Sequence, residues 1–173
     1  MSEILGYGED AFTFWALKGH LSEILKELKD QTEPLDCLIF FRPSFGRRGE
    51  GRAEFGEFDA ILASSQNTYL IESKWGRLLR SRRDEIALTS NQVLRHKSFS
   101  WYLRNWDAQR YGNNWGEFER ESQSNFEKAF PNRKVAPAGS LLAKNLEFVL
   151  NKLQEHCEEF SCEYRKPRDV LFY

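Results

Sequence analysis

The chain has no long hydrophobic run. Nowhere do the roughly 20 apolar residues of a membrane-spanning helix occur together. The opening Met1-Ser2-Glu3-Ile4 has neither the basic cluster nor the apolar stretch of a secretory leader. A membrane partner is therefore excluded at this level, and a cytoplasmic location is expected. A dominant charge is missing too: 25 Lys and Arg stand against 26 Asp and Glu, a net charge of −1. That excludes a uniformly basic molecule, but not a local basic face. Cysteine is scarce. Cys37, Cys157 and Cys162 form no CxxC pair, and their odd number reads as free thiols in a reducing compartment. A zinc site of Cys157, Cys162 and His156 matches no standard ligand spacing. Repeats and low-complexity tracts are absent as well.

What remains is a globular balance of 40% hydrophobic and 29% charged residues, enough at 173 residues for one domain with its own core. Aromatics are plentiful at 14%, with five Trp and fourteen Phe, and those between Phe99 and Trp115 read as partly exposed. Leu17, Leu21, Ile24, Leu25 and Leu28 recur at helical spacing and predict one helix over 9–29. Strands are expected at 37–41, 58–63 and 68–75, with a turn over 64–67. A helix starting between 84 and 90 and reaching 106 follows, with Ser90 as its N-cap. Further helices are expected over 115–130 and 141–159, and a last strand over 169–173. The segment 111–140 reads as an insertion or loop-rich stretch within a single domain spanning 1–173.

The chemistry-bearing residues gather in the hairpin. Alternate strand residues share a face, so Glu72 and Lys74 point the same way. An even-numbered turn sets Asp59 across from Glu72, with Cβ atoms about 5 Å apart. Two facing carboxylates repel unless a cation offsets them. A divalent ion such as Mg²⁺ or Mn²⁺ suits two carboxylates together with phosphate oxygens. Lys74 would steady the attacking water or the charge developing on phosphate.

The stretch Gly56-Glu57-Phe58-Asp59-Ala60-Ile61-Leu62, followed by Tyr69-Leu70-Ile71-Glu72-Ser73-Lys74, resembles the PD-(D/E)XK nuclease signature. Phe58 stands where the signature's Pro would be. The order helix, three strands, helix, later strand also resembles that superfamily's core. The resemblance implies a restriction-endonuclease-like three-layer αβα fold, in class α/β, with a central mixed sheet of four to five strands. It implies a metal-dependent nuclease, with DNA the expected substrate ahead of RNA. Asp59, Glu72 and the backbone carbonyl of Ser73 would bind metal. Glu9 matches the first-helix Glu of many members, with Asp10 as its competitor. Gln92 matches the Gln found on the helix after the motif and would hold Lys74 or the substrate. His96 stands where some RecB-like members have Tyr, and the Gln-then-Arg-His pattern is nearer to nuclease-related domains.

Nucleic-acid contacts are expected from Arg47, Arg48 and Arg52 in a glycine-rich loop, from Arg77, Arg80, Arg82 and Arg83 after the motif, and from Arg95, His96 and Lys97 on the following helix. A homodimer is the assembly considered. Each assignment has a plainer counterpart. Asp59, Glu72 and Lys74 can be a solvated hairpin edge, Glu9 an ordinary first-turn acid favoured by the helix dipole, and Gln92 a cap. Two functional rivals accompany the nuclease reading: the same fold holding nucleic acid without cutting it, and an interaction domain with no nucleic-acid affinity.

Overall fold

Among the described residues four strands form one sheet in the spatial order β1-β2-β3-β4. The computed structural model describes residues 8–45, 56–74, 88–112, 114–160 and 166–172. Strands β1 (Leu38–Phe41), β2 (Ala60–Ala63) and β3 (Thr68–Ser73) run antiparallel, and β4 (Arg168–Phe172) returns parallel to β3. The sheet is therefore mixed. All of β2 and β3 is buried, which explains why both read as nearly continuous apolar runs.

Alternation along the central strands divides the core in two. Ala60, Leu62, Tyr69 and Ile71 pack against Leu17, Leu21 and Leu25. These come from α1 (Gly8–Gly19) and α2 (Leu21–Glu27). Ile61, Ala63 and Leu70 face the other way, into a larger cluster. That cluster is supplied by α3 (Ser90–Asn105), α4 (Ala108–Tyr111), α5 (Trp115–Ala129) and α6 (Leu141–Phe160). Helices thus cover both faces. Among the described residues no helix is long and apolar enough to cross a membrane.

Several expectations need correction. The helix expected over 9–29 is two helices, broken at His20, whose backbone leaves the helical region (φ −133°) while its ring packs 4.2 Å from that of Trp15. Gly19 immediately before it favours the break, since glycine is a poor helix former. The N-cap of α3 is Thr89 rather than Ser90. Thr89 accepts the Gln92 amide hydrogen and the Gln92 side chain accepts from the Thr89 amide, a reciprocal capping box. The aromatics between 99 and 115 are not exposed: Phe99, Trp101, Tyr102, Trp106, Tyr111 and Trp115 are all buried. The helix expected over 115–130 is present as the 15-residue α5, which inserts Phe118 and Phe126 among them. Trp115 Nε1 donates to the Ala136 carbonyl at 2.7 Å, and the Ala136 amide donates to the Tyr102 hydroxyl at 2.9 Å. Lastly, Cys157 is disulfide-bonded, and among the described residues only Cys37 is a free thiol. Three free cysteines do not hold.

Candidate active site

The β2-β3 ladder ends at the pair Ala60 and Ile71, one residue short of Asp59 and Glu72. Asp59 lies in a bend just before β2, where the ladder has ended. The Ser73 amide, left without a strand carbonyl there, donates instead to Asp59 Oδ2 at 2.6 Å. The bend also breaks the alternation. Phe58 and Ile61, three residues apart, both enter the α3-side core. Across the sheet, the Ser73 hydroxyl lies 2.5 Å from that of Thr13, which donates to the Glu9 carbonyl. This pair pins the first turn of α1 to the end of β3 and brings Glu9 near Asp59.

Burial pushes the Asp59 carboxyl above its ordinary value. The Ser73 amide pulls it down, while the charges of Glu72 and Glu9 push it up and Lys74 offsets part of that. Asp59, Glu72, Glu9 and Lys74 therefore share one electrostatic neighbourhood. Asp10, the competitor of Glu9, is engaged elsewhere: Arg42 bridges it at 2.5 Å and Glu57 at 2.9 Å.

Glu72 has a different environment. Its side chain is 3% exposed. Oε2 accepts from Gln92 Nε2 at 2.7 Å. Oε1 takes both Arg95 Nη2 and His96 Nε2, the latter at 3.0 Å. Positions 92, 95 and 96 lie on one face over the first two turns of α3, so a single helix grips the carboxylate with three side chains. Burial pushes Glu72 up, but the hydrogen bonds of His96, Arg95 and Gln92 outweigh it and hold the carboxyl below its usual range. His96 Nδ1 stands 2.7 Å from Asp169 on β4. Burial alone would depress the imidazole. Its two carboxylate partners reverse the sign and raise it.

Gln92 therefore does two things at once. Its Oε1 caps α3 and its Nε2 holds Glu72, not Lys74. Of the helix residues expected to meet nucleic acid, Lys97 is exposed, whereas His96 is buried at 2% and Arg95 is spent on Glu72. Arg47, Arg48, Arg52, Arg77, Arg80, Arg82 and Arg83 lie outside the described residues. Sequence reading missed Asp169. Nothing in a lone acid on the last strand signals a partner 73 positions away. The polar stripe Gln92, Arg95, His96 is visible in the sequence, but its target is not.

Comparison of the chain with known protein families, with curated proteins and with solved structures gives no match. Its class therefore rests on the fold alone: a mixed α/β protein built, among the described residues, on a four-stranded sheet, with Asp59 and Glu72 near one sheet end. The fit of these residues to a divalent ion is uneven. Asp59 has two acidic neighbours, whose oxygens suit a hard cation, and one ammonium, whose charge opposes it. Glu72 suits one only if its present partners release it. Among the described residues no three His, Cys, Asp or Glu side chains form a group ready to hold an ion.

Proposed function

We propose that the protein is a metal-dependent nuclease of the PD-(D/E)XK type, acting on DNA. The observation that carries the reading is the hydrogen bond from the Ser73 amide to Asp59, which ties Asp59 to the β3 end that bears Glu72, in a charge neighbourhood shared with Glu9 and Lys74. The restriction-endonuclease-like arrangement is part of the same proposal, supported by the antiparallel β1-β2-β3 unit, the parallel β4 and the helices on both faces.

In this reading Asp59, Glu9 and Glu72 hold Mg²⁺ or Mn²⁺. When bound, the ion would supply charge opposite the phosphodiester and acidify a water. Lys74, beside Asp59, would place its ammonium toward the attacking water and the charge gathering on the phosphate oxygens. The Ser73 amide keeps Asp59 aimed and ionisable, because a donated hydrogen bond favours the charged carboxylate. Gln92 fixes Glu72 against the start of α3.

Incubation of supercoiled plasmid and single-stranded DNA with Mg²⁺ or Mn²⁺ tests this. Wild type should nick or degrade DNA, and Asp59→Ala and Lys74→Ala should each lose about 100-fold or more of the rate. Equal cutting by all three proteins would refute the assignment. One observation favours a second reading, a fold of this type that holds nucleic acid without cutting it: both Glu72 oxygens are already taken by the protein's own side chains. Its mark would be salt-dependent DNA binding with no products, whatever the metal.

A further inference from the structure

Arg95 is held at Glu72 by more than one ion pair. Its guanidinium lies over the Phe58 ring, 5.1 Å from the centroid. Gly56 lies directly against its outer end. A Cβ there would come within 2.6 Å of Arg95 Nη1, and the backbone at Gly56 is in the left-handed region (φ +86°), which glycine tolerates and other residues resist. Arg95 Nε is buried without an acceptor among the described residues, so this placement costs a hydrogen bond that solvent would have supplied. Beside it, His96 is fixed from its far side by Asp169. An aromatic face, a missing side chain, a capped helix and a second strand all converge on placing positive charge at Glu72 Oε1.

We infer that Arg95 is the resident cation of this site: it holds the Glu72 carboxylate where a divalent ion would otherwise bind, so metal loading is a competition that the ion must win. The inference rests on the reading of Glu72 as a metal ligand. A planar guanidinium satisfies a carboxylate without demanding octahedral ligands, so the site is charge-balanced at Glu72 with no metal present. A dication must displace Arg95 Nη2, and compete with His96 Nε2 on the same oxygen, before it can use Oε1. Binding is then weaker than the carboxylates alone would give, and it tightens when Arg95 is removed. Arg95 acts here as a positioning residue, through Glu72.

The test is Mn²⁺ affinity, read by electron paramagnetic resonance of free Mn²⁺ and by calorimetric titration, without substrate. Arg95→Met, which keeps the packing on Phe58 but removes the charge, should bind Mn²⁺ about tenfold or more tightly than wild type. Adding Glu72→Gln to it should abolish that gain. Should Arg95→Met fail to fold, as judged by circular dichroism, Arg95→Lys carries the test. Its ammonium lacks the guanidinium fork, and affinity should rise by about threefold or more. Unchanged or weaker Mn²⁺ binding in the folded variant overturns the inference. A gain that survives Glu72→Gln overturns it too. Tighter binding without DNA cleavage would leave the inference standing and remove the nuclease reading. Cleavage with unchanged affinity would do the reverse.

Discussion

Asp30 shows how much one buried acid can organise. It is 5% exposed and accepts from the Thr32 amide and hydroxyl, Ser64 Oγ, Tyr69 OH and Asn67 Nδ2. Ser64 Oγ and the Tyr69 hydroxyl each reach Oδ2 at 2.6 Å, tying the β2-β3 turn to the segment after α2. Burial pushes this carboxyl up, but the bonds from Ser64, Thr32 and Tyr69 win and hold it at about 2, below the ordinary 3.8. A depressed folded-state value means the stabilisation is complete above pH 3.8 and is lost as pH falls through about 2. Asp30→Asn should destabilise the protein by about 3 kcal/mol at pH 7, because an amide donor then faces other donors. The gap between variant and wild type in thermal unfolding should shrink as pH drops from 3.8 toward 2. At this scale the sequence is unevenly informative. Asp59, Glu72 and Lys74 stand out because charges in apolar strands need partners. Asp30 and Asp169 do not, since their partners come from distant strands and turns that no local spacing encodes.

Among the elements, α3 bears most on the site, and its cap is part of the chemistry. Thr89 fixes Gln92 from one end while Glu72 holds it from the other. Thr89→Ala should lower stability by about 1 kcal/mol in urea titration, the usual cost of an N-cap side chain. A cost near zero would mean that Glu72 alone orients Gln92. The strands are legible within a residue or two because buried runs bounded by turn residues leave little choice. The first helix is not, because leucines at helical spacing continue across His20, and nothing in that pattern reports a change of backbone direction. The cap of α3 falls one residue earlier than Ser90 because adjacent Thr and Ser are equally good acceptors and only the chain path selects one.

The molecule as a whole is divided by its sheet into a small aliphatic layer under α1 and α2 and a large aromatic one under α3 to α6. Trp106 lies at the centre of the second. Its ring is 5.1 Å from Trp115, 5.2 Å from Phe118 and 5.7 Å from Tyr111, and its Nε1 donates to Asn151 Oδ1 at 2.8 Å. Trp106→Ala should cost about 4 kcal/mol, seen as a fall in the chemical-denaturation midpoint. A loss under about 1 kcal/mol would show that the layer repacks freely. Composition announces the aromatics without saying which are inside. Their helices carry so many that periodicity blurs, and burial is decided by packing between α3, α5 and α6. Among the described residues the large exposed apolar side chains lie elsewhere: Phe14, Trp15 and Phe41 around α1 and the outer strand, Leu35 before β1, and Leu141 and Phe148 on α6.

Strand β4 lies beside β3, yet it is translated long after it. Asp169 follows His96 by 73 positions and still supplies the carboxylate at His96 Nδ1. On an emerging polypeptide, the helix-borne grip on Glu72 can start to form as soon as α3 is out. The outer half of the relay must wait until residues 166–172 find their parallel berth. The order of synthesis thus becomes an order of assembly, with the charge network around Glu72 completed by a segment made long after α3.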